Sequence, residues 1–285
     1  MRDLRDRVVV VTGAGSGLGR CLAFEFARAG ARVHGVDVDG ARAEALGAEA
    51  AAAGLAIVAH RADCADAASV DAMAGTILGA EGRVDVLVNN AGVCVGGRVE
   101  TIPEADWRWA TDVNWWATVH CIRAFLPGMV ERRSGHVVNV ASMAGLVALP
   151  AVVPYCATKA AVVAMSEALA IEVASAGVGV TVVCPGSLRT RVMADAHLAL
   201  PGGFRDRLVG LMARWSRPPD AAARKVVRSV RRNRRYLLIP GELWPLWILR
   251  RISARAYVWV LSRGFGRTLA RWRDADERAR AGGQP

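Results

Sequence analysis

The 285 residues are 53% hydrophobic and 22% charged, a composition that is typical of a globular chain and excludes a disordered or fibrous one. The formal net charge of +11 is confined to the last third, because residues 1–190 hold 16 Lys/Arg against 19 Asp/Glu, whereas residues 191–285 hold 21 against 7. Such an asymmetry is compatible with a nucleic-acid surface, an anionic membrane surface or solvated helix faces.

Cysteine spacing and the start of the chain bear on location. The six cysteines lie far apart, with no C-x-x-C pair and no histidines at metal-ligand spacing, so we expect reduced thiols, a cytoplasmic protein and no metal site. The opening MRDLRDR leads directly into a β-branched run, so no signal peptide is expected. No uninterrupted apolar stretch reaches the ~18 residues of a spanning helix.

Seven short apolar runs alternate with longer Ala-rich stretches of helical character. The runs occupy residues 7–12, 32–37, 56–60, 84–88, 136–141, 179–183 and 236–239. Continuous apolar runs of this length indicate strands that are buried on both faces. The alternation predicts an α/β fold with a Rossmann-type, doubly wound, seven-stranded parallel sheet and helices on both faces. We expect a catalytic domain over residues 1–240 and a basic, Trp-rich helical extension over residues 241–285.

A glycine-rich turn, TGAGSGLGR, follows the first strand and opens a helix. Glycines at this point let the backbone approach a pyrophosphate, whose charge then lies at the helix N-terminus. The second strand ends at Asp37, about 18 positions beyond Gly19, which is the spacing of a carboxylate that binds an adenosine ribose. That carboxylate would repel a 2′-phosphate and no basic residue directly follows it, so NAD is predicted over NADP. The alternative is that Asp37 only caps the next helix.

The segment YCATK places Tyr155 and Lys159 four residues apart, on one face of a helix. A free tyrosine has a pKa near ~10, and a neighbouring ammonium together with the positive nicotinamide of an oxidised cofactor would lower it. Tyr155 would then be a general acid/base for alcohol and carbonyl chemistry. Taken alone, such a pair is more often a surface pair.

Two further motifs accompany this pair. VVNVASMAG contains Ser142, thirteen residues before Tyr155, and LVNNAG contains Asn90 and Gly92. The chain thus contains four motifs, in the order TGAGSGLGR, LVNNAG, VVNVASMAG and YCATK. With these motifs in this order, the chain from about Arg7 to Ile239 resembles the short-chain dehydrogenase/reductase family. The resemblance implies an NAD(P)-dependent oxidoreductase with a small-molecule substrate, assembled as a homodimer or homotetramer.

The same resemblance implies four catalytic residues. Tyr155 would exchange a proton with the substrate oxygen, and Lys159 would lower the pKa of Tyr155 and hold the nicotinamide ribose. Ser142 would bind the substrate oxygen, and Asn114 would help to anchor a proton-relay water. On its own, Ser142 is equally compatible with a strand end and Asn114 with a helix cap. The neighbouring Cys156 carries no sequence sign of activation.

The resemblance also implies a cofactor-binding set. Asp63 would contact adenine, Asn90 would lie near the adenosine ribose, and the segment ending at Thr190 would grip the nicotinamide, although Thr190 alone is equally compatible with an ordinary loop. The set comprises Gly13, Ser16, Gly17, Leu18, Gly19, Asp37, Asp63, Cys64, Asn90, Ala91, Gly92, Tyr155, Lys159, Pro185, Gly186 and Thr190.

The predicted reaction is reversible hydride transfer between NAD and a secondary alcohol or its ketone. A substrate flap is expected at about residues 188–218, and its apolar side chains favour a lipophilic substrate such as a steroid, retinoid or fatty alcohol. Equally, those side chains could pack on the protein's own core. The alternatives are an NADP-dependent carbonyl reductase and a nucleic-acid-binding or NAD-sensing protein on the same fold.

The basic C-terminal third contains two separate signals. The arginines of RRNRR fall at the end of a helix that begins near Asp220, where cations favour the helix dipole, and no aromatic residues interleave them, so we expect no nucleic acid. Beyond Glu242, tryptophan and arginine share an amphipathic segment, which suits peripheral contact with a membrane. Packing at a subunit interface, or on the wall of the substrate pocket, remains open.

Overall fold

A computed structural model of the chain describes residues 3–199, 210, 216–239 and 243–281, with side chains as far as residue 274. Its strands are β1 (Val8–Thr12), β2 (Arg32–Asp37), β3 (Ile57–Arg61), β4 (Val86–Asn89), β5 (Val95–Gly97), β6 (Gly135–Val140), β7 (Val178–Pro185), β8 (His197–Ala199) and β9 (Tyr236–Ile239). Seven of them form a parallel sheet in the order β3-β2-β1-β4-β6-β7-β9. All seven predicted strands are confirmed, with ends that shift by at most two residues.

Helices cover both faces of this sheet. They are α1 (Gly17–Arg28), α2 (Gly40–Ala52), α3 (Ala67–Glu81), α4 (Glu104–Thr111), α5 (Ala117–Glu131), α6 (Met143–Leu146), α7 (Val153–Glu172), α8 (Pro219–Arg231), α9 (Trp244–Ile252) and α10 (Ala254–Ala281). Aspartates begin two of them: Asp39 caps α2, and the carboxylate of Asp66 accepts from two backbone N–H groups of α3. Such caps satisfy backbone donors that have no partner within the helix.

The core lies on both sides of the sheet, as the continuous apolar runs require. Val9 of β1 belongs to the cluster that contains Phe26 of α1, whereas its neighbour Val10 belongs to the cluster that contains Ile77 of α3. Because successive strand residues point to opposite faces, one strand fills two layers. Each such side chain contributes about 1.5–3 kcal/mol of burial free energy.

The order of strands reverses between β1 and β4, which places a crevice at their carboxyl ends. Thr12 ties the two ends together, because its hydroxyl accepts from the backbone N–H groups of Asn90 and Ala91, both at 3.0 Å. The glycine-rich turn and the LVNNAG motif therefore meet at this crevice.

A second, two-stranded sheet was not predicted. Strand β5 pairs in parallel with β8, so the chain beyond Thr190 returns across the loop that follows β4. His197 reinforces this contact, since its Nδ1 lies 2.9 Å from Asp106 Oδ1 and its ring stacks on Trp109. Both β5 and β8 have only three residues, too few for a recognisable pattern. Much of the predicted flap, residues 200–209 and 211–215, lies outside the described residues.

The C-terminal extension packs on the sheet domain through α9 and α10. Tyr257 is buried in a cluster with Val162 and Val182, and its hydroxyl donates to the carbonyl of Ala148. The Arg250 guanidinium likewise donates to the carbonyl of Leu146. Across the part of the chain that the structure describes, we find no helix with the length and hydropathy to cross a bilayer.

Candidate active site

A cleft of about 1600 Å³ opens at the carboxyl ends of the sheet strands. Sixteen of the eighteen predicted site residues line it: Gly13, Ser16, Gly17, Leu18, Asp37, Asp63, Cys64, Asn90, Ala91, Gly92, Ser142, Tyr155, Lys159, Pro185, Gly186 and Thr190. Gly19 and Asn114 are not among the lining residues. The fold therefore gathers residues from the whole length of the sheet domain at one place.

The turn after β1 leaves backbone N–H groups at the start of α1 without a side-chain cap. Gly13 and Gly17 have φ of +63° and +53°, a left-handed conformation that glycine adopts without strain. Ser16 precedes α1 but its side chain makes no capping hydrogen bond, so the first N–H groups of the helix have no side-chain cap. Thr190 lies directly over this turn, because a Cβ on Gly17 would come within 3.0 Å of the Thr190 Cβ. A pyrophosphate would find its donors here.

Asp37 is buried at the end of β2 and supports the same turn. Its Oδ2 accepts from the backbone N–H of Gly15 at 2.9 Å, and its Oδ1 accepts from that of Asp39 at 3.1 Å. The cap of α2 is Asp39, which accepts from the backbone N–H of Arg42. The alternative interpretation of Asp37 as a helix cap is therefore wrong.

Arg42 is a cleft residue that the sequence reasoning missed. Arg42 does not directly follow Asp37 in the sequence, but the first turn of α2 brings it back to the cleft. Its guanidinium forms ion pairs with Asp39, at 3.0 Å, and with Asp195, at 3.5 Å. Helical spacing from Asp39 is the signal that would have found it.

Asn90 and Asp63, two of the predicted residues, form hydrogen bonds with backbone groups at the crevice. The Asn90 carboxamide donates to the carbonyls of Thr12, at 2.9 Å, and Gly13, at 3.3 Å. Asp63 lines the cleft, and its Oδ1 accepts from the backbone N–H of Ala65 at 2.9 Å. Gly19 lies behind the turn, where a Cβ would come within 2.0 Å of the Gly13 carbonyl oxygen.

Ser142, Tyr155 and Lys159 all line the cleft, and the side chains of Ser142 and Tyr155 share a hydrogen bond. Ser142 ends the loop after β6 and its hydroxyl accepts from the backbone N–H of Ala144 at 3.1 Å. The Lys159 ammonium donates to the carbonyl of Val140 at 3.0 Å. A Cβ on Gly92 would come within 2.9 Å of that ammonium, so glycine at this position keeps Lys159 in place.

The pKa of Tyr155 lies above its ordinary value, whereas the sequence predicts a lowered one. Burial raises the pKa of Tyr155 because the phenolate loses hydration, and a hydrogen bond with Ser142 opposes this rise. Lys159 directs its ammonium to the Val140 carbonyl, and burial lowers the pKa of Lys159 to about 8. Before a cofactor binds, desolvation therefore favours the neutral form of both side chains.

Asn114 lies in a π-helical turn, Asp112–Trp116, between α4 and α5. Its carboxamide is completely buried: Oδ1 accepts from the backbone N–H of Val93 at 2.8 Å, and Nδ2 donates to Val93 O and Thr158 Oγ1, both at 3.0 Å. Turns of this kind often occur at functional sites. Asn114 thus fixes the segment after β4 against α7 from behind the cleft.

The C-terminal extension supplies one wall of the cleft. The lining residues of α10 are Gly264, Phe265, Thr268, Leu269, Arg271 and Trp272. Trp272 is buried although it lies in a largely exposed helix. Of the arrangements that the sequence left open, the pocket wall is the one observed for this part of α10.

All six cysteines are buried and free. Cys156, next to Tyr155 in sequence, accepts from the backbone N–H of Leu149 at 3.3 Å, and burial raises the pKa of its thiol. A raised pKa reduces the thiolate fraction, which argues against a nucleophilic role.

Comparisons with known proteins agree with this geometry. The sequence profile described as short chain dehydrogenase matches residues 7–199. EphD of Mycobacterium tuberculosis, described as an oxidoreductase, is 36% identical over 259 residues. That match covers 88% of this chain but 44% of EphD, so this chain spans less than half of that relative. SadH of the same organism, also described as an oxidoreductase, is 33% identical over 93% of this chain and 97% of its own length.

Among solved structures, a short-chain dehydrogenase/reductase from Burkholderia phymatum in complex with NAD superposes with a TM-score of 0.83 at 30% identity. The match covers 90% of this chain and 96% of that one. Sequence, fold and the arrangement of the cleft lead to one conclusion: the chain belongs to the short-chain dehydrogenase/reductase family of oxidoreductases.

Proposed function

We propose that the protein is an NAD-dependent oxidoreductase that interconverts a lipophilic secondary alcohol and its ketone. The observation that carries this proposal is the convergence of Ser142, Tyr155 and Lys159 at one cleft, beside a glycine-rich turn that can accept an anion. The catalytic unit is residues 1–240, and residues 241–285 extend it.

The residues present fit a nicotinamide dinucleotide. The N-terminus of α1 would receive the pyrophosphate, Asp37 would receive the adenosine ribose hydroxyls, and Lys159 would hold the nicotinamide ribose. Asp63 and Cys64 line the cleft and would contact adenine, whereas Pro185, Gly186 and Thr190 line it and would contact the nicotinamide. When bound, the dinucleotide supplies hydride exchange with the carbinol carbon.

Within this arrangement Tyr155 exchanges a proton with the substrate oxygen, and the Ser142 hydroxyl donates a hydrogen bond to that oxygen. Burial raises the pKa of Tyr155 and the hydrogen bond with Ser142 opposes this rise. A protonated Lys159, four residues further along the same helix, would favour the phenolate further. Asn114 holds the backbone of Val93 and the Thr158 hydroxyl, which keeps α7 and its tyrosine in register with the cleft.

NAD is favoured over NADP because the buried carboxylate of Asp37 occupies the position where a 2′-phosphate would need a cation. One observation favours the NADP-dependent carbonyl reductase as a second candidate: Arg42 lines the cleft beside Asp37. Its pairing with Asp39 and Asp195 already balances the guanidinium charge, which supports the first candidate.

A lipophilic substrate is supported by the apolar part of the cleft lining. Its large apolar side chains come from several separate segments and include Trp109, Leu149, Val152, Val192, Met193, Phe265, Leu269 and Trp272. Apolar surface of this extent would bury a steroid, retinoid or fatty alcohol more favourably than a polar metabolite.

Tyr155→Phe tests the proposal. The wild type is assayed with a panel of secondary alcohols and ketones, each with NAD and NADP in parallel, and the variant with the best pair. We expect turnover to fall at least about 1,000-fold while NADH binding changes less than about threefold, because only the proton-transfer step is removed. Retained turnover, or no activity of the wild type on any member of the panel, would contradict the assignment.

The proposal also includes the oligomeric state of the protein and its cellular compartment. The family's tendency to oligomerise supports a homodimer or homotetramer. Exposed apolar side chains on α5 and α7, Val130 and Ile171, also support it. Six buried free thiols support a reducing, cytoplasmic compartment. Light scattering of the purified protein measures the assembly directly.

A further inference from the structure

The outer surface of the C-terminal extension has an unusual concentration of exposed apolar side chains. Among the described residues, fourteen large hydrophobic side chains are exposed, and seven of them lie between residues 244 and 265. They are Trp244, Ile248, Ile252, Val258, Trp259, Val260 and Phe265. We call these seven the apolar face of the extension.

Part of this apolar face follows helical periodicity. Trp244, Ile248 and Ile252 are spaced four residues apart along α9, so they form one stripe, and Ile252 is 78% exposed. On α10, Val258 and Trp259 are each 57% exposed. Apolar side chains that only completed the fold would be covered by it, as Tyr257 is. The exposed ones therefore indicate an interaction surface.

The charges of the extension are almost all positive. Residues 243–274 contain seven arginines and one acidic residue, Asp274. Arg251 stacks over Trp247, with 5.2 Å between the guanidinium carbon and the ring centroid, and Arg263 stacks over Trp259 at 4.6 Å. No carboxylate of the described residues forms an ion pair with Arg251, Arg255 or Arg263, so these cations remain available to an anionic partner.

We propose that α9 and α10 dock the enzyme on an anionic phospholipid bilayer. Tryptophan and aliphatic side chains would enter the boundary between headgroups and acyl chains, and the arginines would bind lipid phosphates. A second copy of the chain complements this surface poorly, because it would bring another set of unpaired arginines to the contact. A nucleic acid would pair the arginines but leave Ile252, Val258 and Val260 in water.

The proposal goes beyond the catalytic function and does not depend on it. Of the seven residues of the apolar face, Phe265 also lines the cleft, as Leu269 and Trp272 do further along α10, whereas Val258 and Trp259, which carry the test, do not. One helix therefore carries both a wall of the active site and a surface for the bilayer. Docking would place the cleft of a lipophilic-substrate enzyme beside a lipid phase.

The full-length protein is tested by co-sedimentation with vesicles of phosphatidylcholine alone and of phosphatidylcholine mixed with phosphatidylglycerol. The docking variant combines Val258→Ser, Trp259→Ser, Arg251→Glu and Arg255→Glu. The matched control combines Val58→Ser, Val99→Ser, Arg224→Glu and Arg228→Glu, which change two exposed apolar residues and two exposed arginines outside the extension. Melting temperature and NADH binding verify that each variant is folded.

We expect the wild type and the control to bind anionic vesicles, with at least about tenfold weaker binding to phosphatidylcholine alone. The docking variant should lose at least about tenfold of its anionic-vesicle partitioning, because two apolar contacts and two cations are removed. Equal binding by wild type and docking variant overturns the proposal, as does no vesicle binding by the wild type. If labelled DNA binds instead, or if the variant loses only self-association in light scattering, the face serves a different partner and the proposal fails.

Discussion

At the scale of single residues, we expect Asp37 to have two separable functions. Its carboxylate accepts from the backbone N–H of Gly15, which shapes the glycine-rich turn, and in the proposed NAD site its charge would oppose a 2′-phosphate. Asp37→Asn retains an acceptor oxygen and removes the charge. We expect the ratio of kcat/KM for NAD to that for NADP to fall about 10- to 100-fold, the range of a hydrogen bond to a charged group. Steady-state kinetics with both cofactors measure this ratio.

Arg42 provides the control for that experiment. If Asp37→Asn allows Arg42 to receive a 2′-phosphate, adding Arg42→Gln should remove the NADP activity that was gained and leave NAD activity nearly unchanged. An unchanged cofactor ratio in Asp37→Asn would show that the carboxylate does not set the preference.

The buried ammonium of Lys159 predicts a pH dependence of stability. Burial lowers the pKa of Lys159 from 10.5 to about 8, so the native state binds fewer protons at this site than the unfolded state between those pH values. Stability therefore rises as pH increases through this window, and the cost of burying the charge is fully present below pH 8. Lys159→Met removes the titration while keeping most of the volume.

Urea unfolding of the cofactor-free wild type and Lys159→Met is measured at neutral pH and near pH 10. We expect the wild type to gain stability relative to the variant at the higher pH, by about 3 kcal/mol at most. Buried thiols such as Cys94, whose pKa burial raises to about 12, give the opposite slope, but they do so in both proteins. A difference that does not change with pH would contradict the lowered pKa.

Site residues that belong to a local sequence motif could be predicted. Site residues that reach the cleft only through the tertiary fold could not. Asp37 and Tyr155 follow from the spacing of strands and of helical turns, which are local properties. Arg42 reaches the cleft only because α2 begins at Gly40, and Trp272 reaches it only because α10 folds back over the domain. For Arg42 the only local signal is its helical spacing from Asp39, and for Trp272 there is none.

At the scale of elements, the same distinction holds. The seven strands of the main sheet are continuous apolar runs, so their existence and order along the chain could be predicted. The pairing of β5 with β8 joins segments about 100 residues apart through three residues each, and the π-helical turn around Asn114 adds one residue to an ordinary helical pattern. The π-helical turn lines the cleft through Asp112 and Val113, whereas β5 directly follows the lining residue Cys94. Both elements depend on tertiary contacts.

Helix α10 carries a prediction of its own, because it forms a wall of the cleft. Trp272→Ala should lower kcat/KM for the longest substrates of a homologous alcohol series at least about tenfold and change the shortest by less than about twofold. The reason is that only long substrates reach the wall. Trp259→Ala, on the same helix but outside the cleft, is the control. A uniform loss across the series would indicate a structural role alone.

At the scale of the whole molecule, the extension and the sheet domain share one apolar cluster. Tyr257 of α10 packs with Val162 of α7 and Val182 of β7, and Trp247 of α9 packs against the same cluster. Large apolar side chains of this kind contribute about 1.5–3 kcal/mol each when fully buried. The extension is therefore expected to stabilise the catalytic domain as well as to line its cleft.

A chain that ends at residue 240 tests that expectation together with the proposed domain boundary. We expect it to fold and bind NADH, because the glycine-rich turn and the strands of the sheet all precede the cut, but to melt about 10 °C lower, since several kcal/mol of burial are lost. Tyr257→Phe, which removes only the hydrogen bond to Ala148, should cost about 1 kcal/mol. An unchanged melting temperature of the shortened chain would show that the extension contributes no packing energy. Failure of the shortened chain to fold would show that the catalytic domain does not end at residue 240.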